Sequence, residues 1–434
     1  MNEQSLWVET ATKPYFESLS GDRKTDVLII GGGLSGILTA YLLQQRNVDC
    51  ILCEAREICG GITQNTTAKV TVAHGLLYDR LLCRYGKGVA EGYLLAQKEA
   101  LDEYRRLSGL YFFDFEERDS YVYSKDSRSK IEEEVNAING IGGKAEFVQD
   151  LPLPFSTEGA VLMRGQAQMH PLKLAYALAK NLPIYENTRI LELTPKYARC
   201  AHGRIFAKKI VVATHFPFLN KHGMYFLKLY QHRSYVLGLE NAPKLQGMYV
   251  DESLTGLSFR EYEGIMLLGG GAHRTGKQGG AWQELELFAA QHYPHSKAVY
   301  HWATQDCMTL DGIPYIGQYS KNTPDLYVAT GYNKWGMTNA MVAARLLSDR
   351  ILGKKNRYAE VFDPSRSIFR PQLALNAFES VLGLVTPTVP RCPHLGCALK
   401  YNRQEHSWDC PCHGSRFTED GRLIDNPATG DRKK

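Results

Sequence analysis

The sequence predicts a mixed α/β (α+β) fold: a doubly wound, parallel-stranded unit, an antiparallel sheet interleaved with it, and a small all-β module towards the C-terminal end. Three observations predict it. The stretch from Asp26 to Glu54 reads as strand, glycine-rich turn, helix, strand and terminal acid. Between Tyr225 and Gly271 the pattern changes to short alternating strands separated by glycine and charged turns. Seven cysteines and histidines then crowd between Cys392 and His413.

Val27–Ile30 is a short, β-branched apolar run of the kind a buried parallel strand requires. Gly31, Gly33 and Gly36 follow as G-x-G-x-x-G, a helix runs on from Ile37, and Cys50–Cys53 is a second strand ending at Glu54. Each piece has a task in a Rossmann-type unit. Gly31 permits the tight turn, Gly33 lets backbone approach a pyrophosphate, and Gly36 lets the helix pack close to the strand. The helix N-terminus offers free N–H groups and partial positive charge to phosphates. Glu54 is placed to accept from a ribose hydroxyl. A lone G-x-G-x-x-G is a weak signal; with strand, helix and acid in register it predicts dinucleotide binding.

Gly60-Gly61-Ile62-Thr63 and the segment up to Lys69 follow as a Gly/Thr-rich loop able to face the same cofactor, an ordinary turn being the competing reading. Residues 76–108 have helical spacing with their charges on a solvated face. Residues 110–165 read as mixed strands and short helices, 172–180 as a helix, 189–193 and 210–215 as strands. Segments 230–239, 247–250, 257–262 and 265–268 supply the antiparallel sheet. Asp311–Gly317, a strand over 325–330, the loop Gly331–Thr338 and a helix over 339–352 return to Rossmann grammar and bring a second helix N-terminus. Residues 1–25 read as an extended lead-in anchored at Ser5-Leu6-Trp7.

The chain has 434 residues, enough for two or three domains. A hydrophobic content of 44%, a charged content of 22% and a net charge of +5 describe an ordinary globular protein. No basic run is interleaved with aromatics, which argues against a nucleic-acid binder. No apolar run reaches membrane-spanning length, and Met1–Phe16 has no apolar signal-peptide core; a cytoplasmic location is expected. Cys50, Cys53, Cys59, Cys83, Cys200 and Cys307 are scattered, as small buried hydrophobes are in a reducing compartment.

The C-terminal cluster is different. Cys392-Pro393-His394 and Cys410-Pro411-Cys412-His413 give C-x-H, 15 residues, then C-x-x-H. Two thiolates and two imidazoles at that spacing suit a tetrahedral zinc site or a mixed-ligand [2Fe-2S] site. The flanking Leu395-Gly396-Cys397 and Gly414-Ser415-Arg416-Phe417 complete a pattern that closely resembles the Rieske family. That resemblance implies that Cys392 and Cys410 bind one iron and His394 and His413 the other. It implies a disulfide between Cys397 and Cys412, and a Ser415 hydroxyl donating to a cluster sulfur. Phe417 stands where high-potential forms have Tyr, so one hydrogen bond is missing and the potential falls below the top of the range of roughly −150 to +300 mV.

Residues 5–362 resemble the FAD-dependent oxidoreductases of the glycine/D-amino-acid oxidase family. The resemblance rests on Gly31–Gly36 with Glu54, the Gly60–Thr63 loop, Val212–His215, Asp311–Gly317 and Gly331–Thr338. It implies an FAD domain interleaved with an antiparallel substrate domain. It also implies that Gly31, Gly33, Ser35 and Gly36 hold the pyrophosphate and that Glu54 with Arg56 holds the adenosine. Gly61, Thr63, Thr67, Ala68, Thr214 and Gly331 would lie along the cofactor, with Gly336, Met337 and Thr338 at the flavin pyrimidine edge. Cys307 is a candidate for covalent flavin attachment, a buried unlinked cysteine being the competing reading. Arg260, Tyr262, His273 and Arg274 are candidate substrate residues, each equally readable as structural; so are His170 and His215.

The expected organisation is an oxidoreductase over 1–370, a linker over 371–391 and a truncated Rieske domain over 392–434. The oxidoreductase has FAD-binding parts near 24–85, 145–220 and 300–362, and substrate parts near 86–144 and 221–299. With so short a lead into its first ligand, the cluster module lacks a base and must pack on the flavoprotein, through a linker apolar enough to dock. Flavin handles electron pairs and a Rieske cluster single electrons. The expected function is oxidation of an amine or amino acid at C–N, with electrons leaving through the cluster to an external electron-transfer partner. A reductase running the other way and a non-catalytic redox sensor are the alternatives. The two-His, one-carboxylate iron site of an oxygenase is not found in the sequence.

Overall fold

The computed structural model describes residues 2–194, 196–387 and 390–432; residues 388 and 389 of the expected linker and 433 and 434 of the expected cluster domain lie outside it. Strand Arg23–Ile30 is buried from Val27 onwards. It pairs in parallel with Cys50–Cys53 on one side and with Gly203–Val212 on the other. Leu326–Thr330 and Ile184–Tyr185 extend the parallel sheet outwards, and Tyr315–Gln318 closes one edge antiparallel. Helix Leu34–Gln44 is almost wholly buried and packs on helix Gly336–Ile351 across this sheet. Both helices begin beside the ends of parallel strands, where ligands of open α/β sheets bind.

Among the described residues, the second sheet has nine strands. Lys297–Thr309, Leu229–Glu240, Ile265–Arg274, Ser258–Tyr262 and Gly247–Asp251 run antiparallel in that order. Gly247–Asp251 then pairs in parallel with Glu116–Ser124, the one departure from the antiparallel expectation in the sheet as described. Gly159–Gln168, Lys69–Val70 and Glu146–Val148 complete it. Lys69–Val70, Gly159–Gln168 and most of Lys297–Thr309, placed by sequence in the FAD-binding parts, pair within this second sheet. Alternation shows that a segment is a strand but not which sheet its ladder joins.

Two local expectations also shift. The helical stretch 76–108 breaks at Gly86 (φ +81°) into Tyr78–Tyr85 and Lys87–Ser108. In the lead-in, Leu6–Glu9 forms a helical turn whose Trp7 is fully buried and donates from its indole to Thr66 O at 2.7 Å.

The C-terminal module is a four-stranded antiparallel sheet, Lys400–Asn402, Ser407–Asp409, Arg416–Thr418 and Leu423–Asp425. Its buried core is little more than its four cysteines with Leu399, Phe417 and Ala428. The expected linker is largely a helix, Pro371–Val385, and it docks through its small and polar residues and not through its apolar ones. Asn376 and Gly383 point inwards, while Leu375, Phe378, Val381, Leu382, Leu384 and Val385 are 44–68% exposed. The reason is close approach to the cluster loops. A Cβ at Gly383 would meet Cys412 Sγ at 2.6 Å, and Asn376 accepts from Arg274 at 3.0 Å.

Candidate active site and cluster site

A cavity of about 1890 Å³ runs from the Gly31–Gly36 turn to the face of the second sheet. That is larger than the roughly 300–1,000 Å³ of ordinary small-ligand pockets and leaves room for a dinucleotide together with a substrate. Its first wall is the glycine turn. Gly31 sits at φ +111°, where an added Cβ would lie 2.5 Å from Ala213 O; at Gly36 it would lie 2.0 Å from Gly31 O. Neither Gly33 nor Trp335, which start the two helices, offers a side-chain cap. Thr63 Oγ1 accepts from Leu34 N–H at 3.1 Å; the remaining N–H groups of these first turns are placed to serve an anionic or ring ligand. Ser35 Oγ pairs with Tyr332 Oη at 2.7 Å, Thr214 Oγ1 donates to Phe216 O, and Gly331 takes a left-handed turn (φ +75°). Gly31, Gly33, Ser35, Glu54, Arg56, Gly61, Thr63, Thr67, Thr214, Gly331, Gly336 and Met337 all line the cavity.

Several expected residues do other work. Glu54 accepts from Gly32 N–H at 2.8 Å and Arg56 N–H at 2.9 Å, so its carboxylate first holds the glycine turn in shape. The Arg56 guanidinium donates to Ile424 O of the C-terminal module at 2.8 Å rather than facing an adenosine. Ala68 and Thr338 are not in the cavity lining. Ala68 O accepts from Arg260 and from Met169 N–H, and the Thr338 hydroxyl donates to Thr71 O. Cys307 is likewise off the cavity, in an apolar cluster with Val212, Phe216 and Leu229, its thiol 3.6 Å from Thr330 Oγ1.

The substrate candidates make contacts away from the cavity. Arg260, Tyr262 and His273 do not line the cavity. Arg260 is fully buried, donates to Thr67 O and Ala68 O, and lies over the rings of Trp7 and Tyr262. Tyr262 donates to Asp114 at 2.5 Å, His273 Nε2 pairs with Tyr235 Oη at 3.0 Å, and Arg274 donates to Asn376 and to backbone carbonyls of Pro411 and Cys412. His170 caps a helix by accepting from Lys173 N–H. A polar side chain on a sheet has two faces to choose from, and for these the structural one won.

What the cavity does present was not foreseen. Lys69 lines it and, among the described residues, has only the hydroxyls of Thr67 (3.0 Å) and Ser258 (3.5 Å) as partners. Burial, reinforced by the Arg260 cation, pushes its ammonium down to about 7. Asp306 and Lys334 line it as well.

At the cluster site, Cys392, Cys397, Cys410, Cys412 and His413 are buried and His394 is half-buried. The two imidazoles stand 5.0 Å apart, centroid to centroid. Among the described residues, His394 Nδ1 and both His413 nitrogens are buried without a hydrogen-bond partner. Orphaned buried imidazole nitrogens beside gathered thiols are what a His/Cys metal group requires. The sulfurs of Cys397, Cys410 and Cys412 lie within 4.8 Å of one another; Cys397 and Cys412 are neighbours but unbonded. Ser415 Oγ accepts from Ala428 N–H at 3.0 Å, beneath the cluster loops.

A buried polar bridge joins the two sites. Gln231 Nε2 donates to His413 O at 2.8 Å, and its Oε1 accepts from Gln305 Nε2 at 2.8 Å and lies 3.2 Å from His215 Nε2. Gln305 Nε2 also donates to Gly414 O at 2.9 Å. His215 and Gln305 line the cavity. Burial pushes His215 down to about 4, so its imidazole is neutral at ordinary pH. Phe216, next in the chain, places its ring 6.4 Å from His413 and 6.5 Å from His394. Farther out, Glu405 of the C-terminal module ion-pairs with Arg233, and Asn426 donates to Thr214 O and Phe216 O. No sequence signal marks Gln231 or Gln305; they belong to the contact between distant parts of the chain.

A family model described as FAD dependent oxidoreductase matches residues 26–350, and one described as Rieske [2Fe-2S] domain matches residues 360–433. The chain is 33% identical, over 98% of its own length and 96% of the relative's, to YhfW of Bacillus subtilis (strain 168), a Rieske 2Fe-2S iron-sulfur protein by name. It is 23% identical, over 79% of this chain and 87% of the relative, to gamma-glutamylputrescine oxidoreductase of Escherichia coli (strain K12). Its fold is similar to that of L-proline dehydrogenase from P. horikoshii, with a TM-score of 0.67 at 16% identity, covering 80% of this chain and 98% of that one. No helix among the described residues is long and apolar enough to cross a membrane.

Proposed function

The chain belongs to the family of FAD-dependent oxidoreductases and carries a Rieske [2Fe-2S] domain, and from that premise we propose that it oxidises an amine or amino acid at a C–N bond and passes the electrons singly, through the cluster, to an external acceptor. Bound FAD supplies a two-electron acceptor, and the cluster supplies a one-electron carrier of raised potential. The observation that carries the reading is the bridge from the cavity through His215, Gln305 and Gln231 to the backbone of His413 and Gly414. It fixes the cluster loops against the wall of the cavity instead of leaving them on a tether.

Under this reading Gly31, Gly33, Ser35, Thr63 and Thr214 face the pyrophosphate, Glu54 turns a remaining lone pair to the ribose, and Gly336 and Met337 present a helix start to the flavin ring. Cys392, His394, Cys410 and His413 are the cluster ligands, and Cys397 and Cys412 form a disulfide across the two cluster loops. His394 is the outward ligand: it is half-buried, with Nε2 2.8 Å from Asn220 Oδ1. That edge is where an electron-transfer partner would approach. The relatives' names, gamma-glutamylputrescine oxidoreductase and L-proline dehydrogenase, support C–N oxidation as the reaction class.

Anaerobic rapid mixing of purified holoprotein with a panel of amines and amino acids tests the proposal. The expected result is flavin bleaching followed by cluster reduction at a rate independent of protein concentration. A flavin that no amine bleaches but a ferredoxin or NAD(P)H reduces would refute it in favour of a reductase. A second phase that scales with concentration would refute the internal route.

A further inference from the structure

On strand Lys297–Thr309, Gln305 donates to Gly414 O and Cys307 lies 3.6 Å from Thr330 Oγ1. Asp306, between them, lines the cavity. Among the described residues its carboxylate receives no hydrogen bond and no ion pair. The cations that face it are engaged elsewhere. Lys334 Nζ donates to Ser234 Oγ at 3.2 Å and Leu254 O at 2.8 Å, and Arg233 is held by Glu405. Lys334 is placed by two consecutive left-handed residues, Asn333 (φ 52°) and Lys334 itself (φ 73°), a strain that persists only where surroundings impose it.

The unpaired condition extends along the ladder. His232, directly opposite Asp306, is 7% exposed and its Nδ1 is buried without a partner. Thr304, two residues before Asp306 on the same face, has a buried unpartnered hydroxyl. A carboxylate without a hydrogen bond or ion pair, beside buried polar groups that also lack partners, offers a place for a counter-charge. Of the nearby arginines, Arg233 is held by Glu405, and Arg260, outside the cavity lining, gives Nη1 to backbone carbonyls while its Nε and Nη2 are buried without partners among the described residues.

We propose that Asp306 anchors a cationic nitrogen of the substrate, so that the cavity selects amines by their positive charge. The inference rests on the amine-oxidising reading above and narrows its substrate class. Burial raises the Asp306 carboxyl to about 6, with Lys334 and Arg233 pulling it back. The anchor is therefore ionised at neutral pH and is lost as the pH falls through about 6.

The probe is butylguanidinium, cationic at every working pH and without a free amine lone pair, titrated into oxidised holoprotein and followed by flavin absorbance and calorimetry. Saturable binding is expected. Asp306→Asn should weaken it roughly ten- to a hundredfold, the value of one charge-assisted hydrogen bond, with FAD content and melting temperature unchanged. Butyrate, of similar length, should not displace it. If the Asn variant loses FAD, the wild-type pH series decides: affinity must fall between pH 7.5 and 5. Equal affinity in the Asn variant, displacement by butyrate, or a flat pH series would overturn the proposal. Amines that bind in an Asp306-dependent way yet never bleach the flavin would overturn the redox reading and leave the anchor standing.

Discussion

Replacing Glu405 by Gln removes one charge from the best-buried ionic contact between the cluster module and the flavoprotein. The Glu405 side chain is 9% exposed, that of Arg233 4% and that of Arg416 5%. Its carboxylate accepts from both Arg233 nitrogens in a fork, from Arg416 at 2.7 Å and from Tyr235 Oη at 2.9 Å. Arg233, foremost, and Arg416 hold the carboxyl down at about 2 despite a desolvation that would raise it. Against an ordinary 4.5, that is worth about 3 kcal/mol. An independent route agrees: removing one partner of a buried pair costs about 3–5 kcal/mol, because the other charge is left uncompensated. Arg416 keeps Asp409 and Asp425, whereas Arg233 loses its only carboxylate among the described residues. Glu405→Gln should thus shift the docking equilibrium of the module by about a hundredfold. Because the carboxyl is depressed, its stabilisation is complete above about pH 4.5 and drains away as the pH falls towards 2. The assay is visible circular dichroism of the cluster during urea and acid titration, with flavin-to-cluster transfer measured alongside. The variant should lose its signal at lower urea and show little dependence on acid between pH 4.5 and 3. Identical midpoints in parent and variant would refute the reasoning.

Gly36→Ala places a methyl 2.0 Å from Gly31 O; the turn must open, and the purified protein should lack flavin absorbance. Cys410→Ala and His413→Ala should each abolish the Rieske-type EPR spectrum of the dithionite-reduced protein, and a silent parent carrying stoichiometric zinc would overturn the ligand assignment. Because Cys307 faces an apolar cluster and not the cavity, acid precipitation should release all the flavin into the supernatant; flavin left in the pellet would contradict that placement.

The parts that could be read from sequence are those whose physics is local. The Asp26–Glu54 unit announces itself because turn, phosphate approach and helix packing each demand glycine at a fixed offset. The cluster ligands do so because a metal group fixes both residue type and spacing. What could not be read depends on pairing across the chain. Lys69–Val70 belongs to the second sheet through Gly159–Gln168, nearly a hundred residues away in sequence and within no pattern of its own. Arg260 reads as a substrate clamp until Trp7 and the carbonyls of Thr67 and Ala68 are seen to occupy it. The helix Pro371–Val385 has a clear apolar stripe, but what faces inwards was decided by the close approach of Gly383 to Cys412. Asp306 lay beside Cys307, the residue that drew attention, and only strand parity separates their surroundings.

The C-terminal module touches more than the bridge. Arg56 reaches Ile424 O, Arg189 reaches Thr429 O, and Asn426 holds Thr214 O, all at the end of the cavity where Glu54 stands. With the nucleotide seated at Glu54 as proposed, these contacts put the module's docking and the adenosine end of the cavity under common control: whatever loosens the module also loosens that wall.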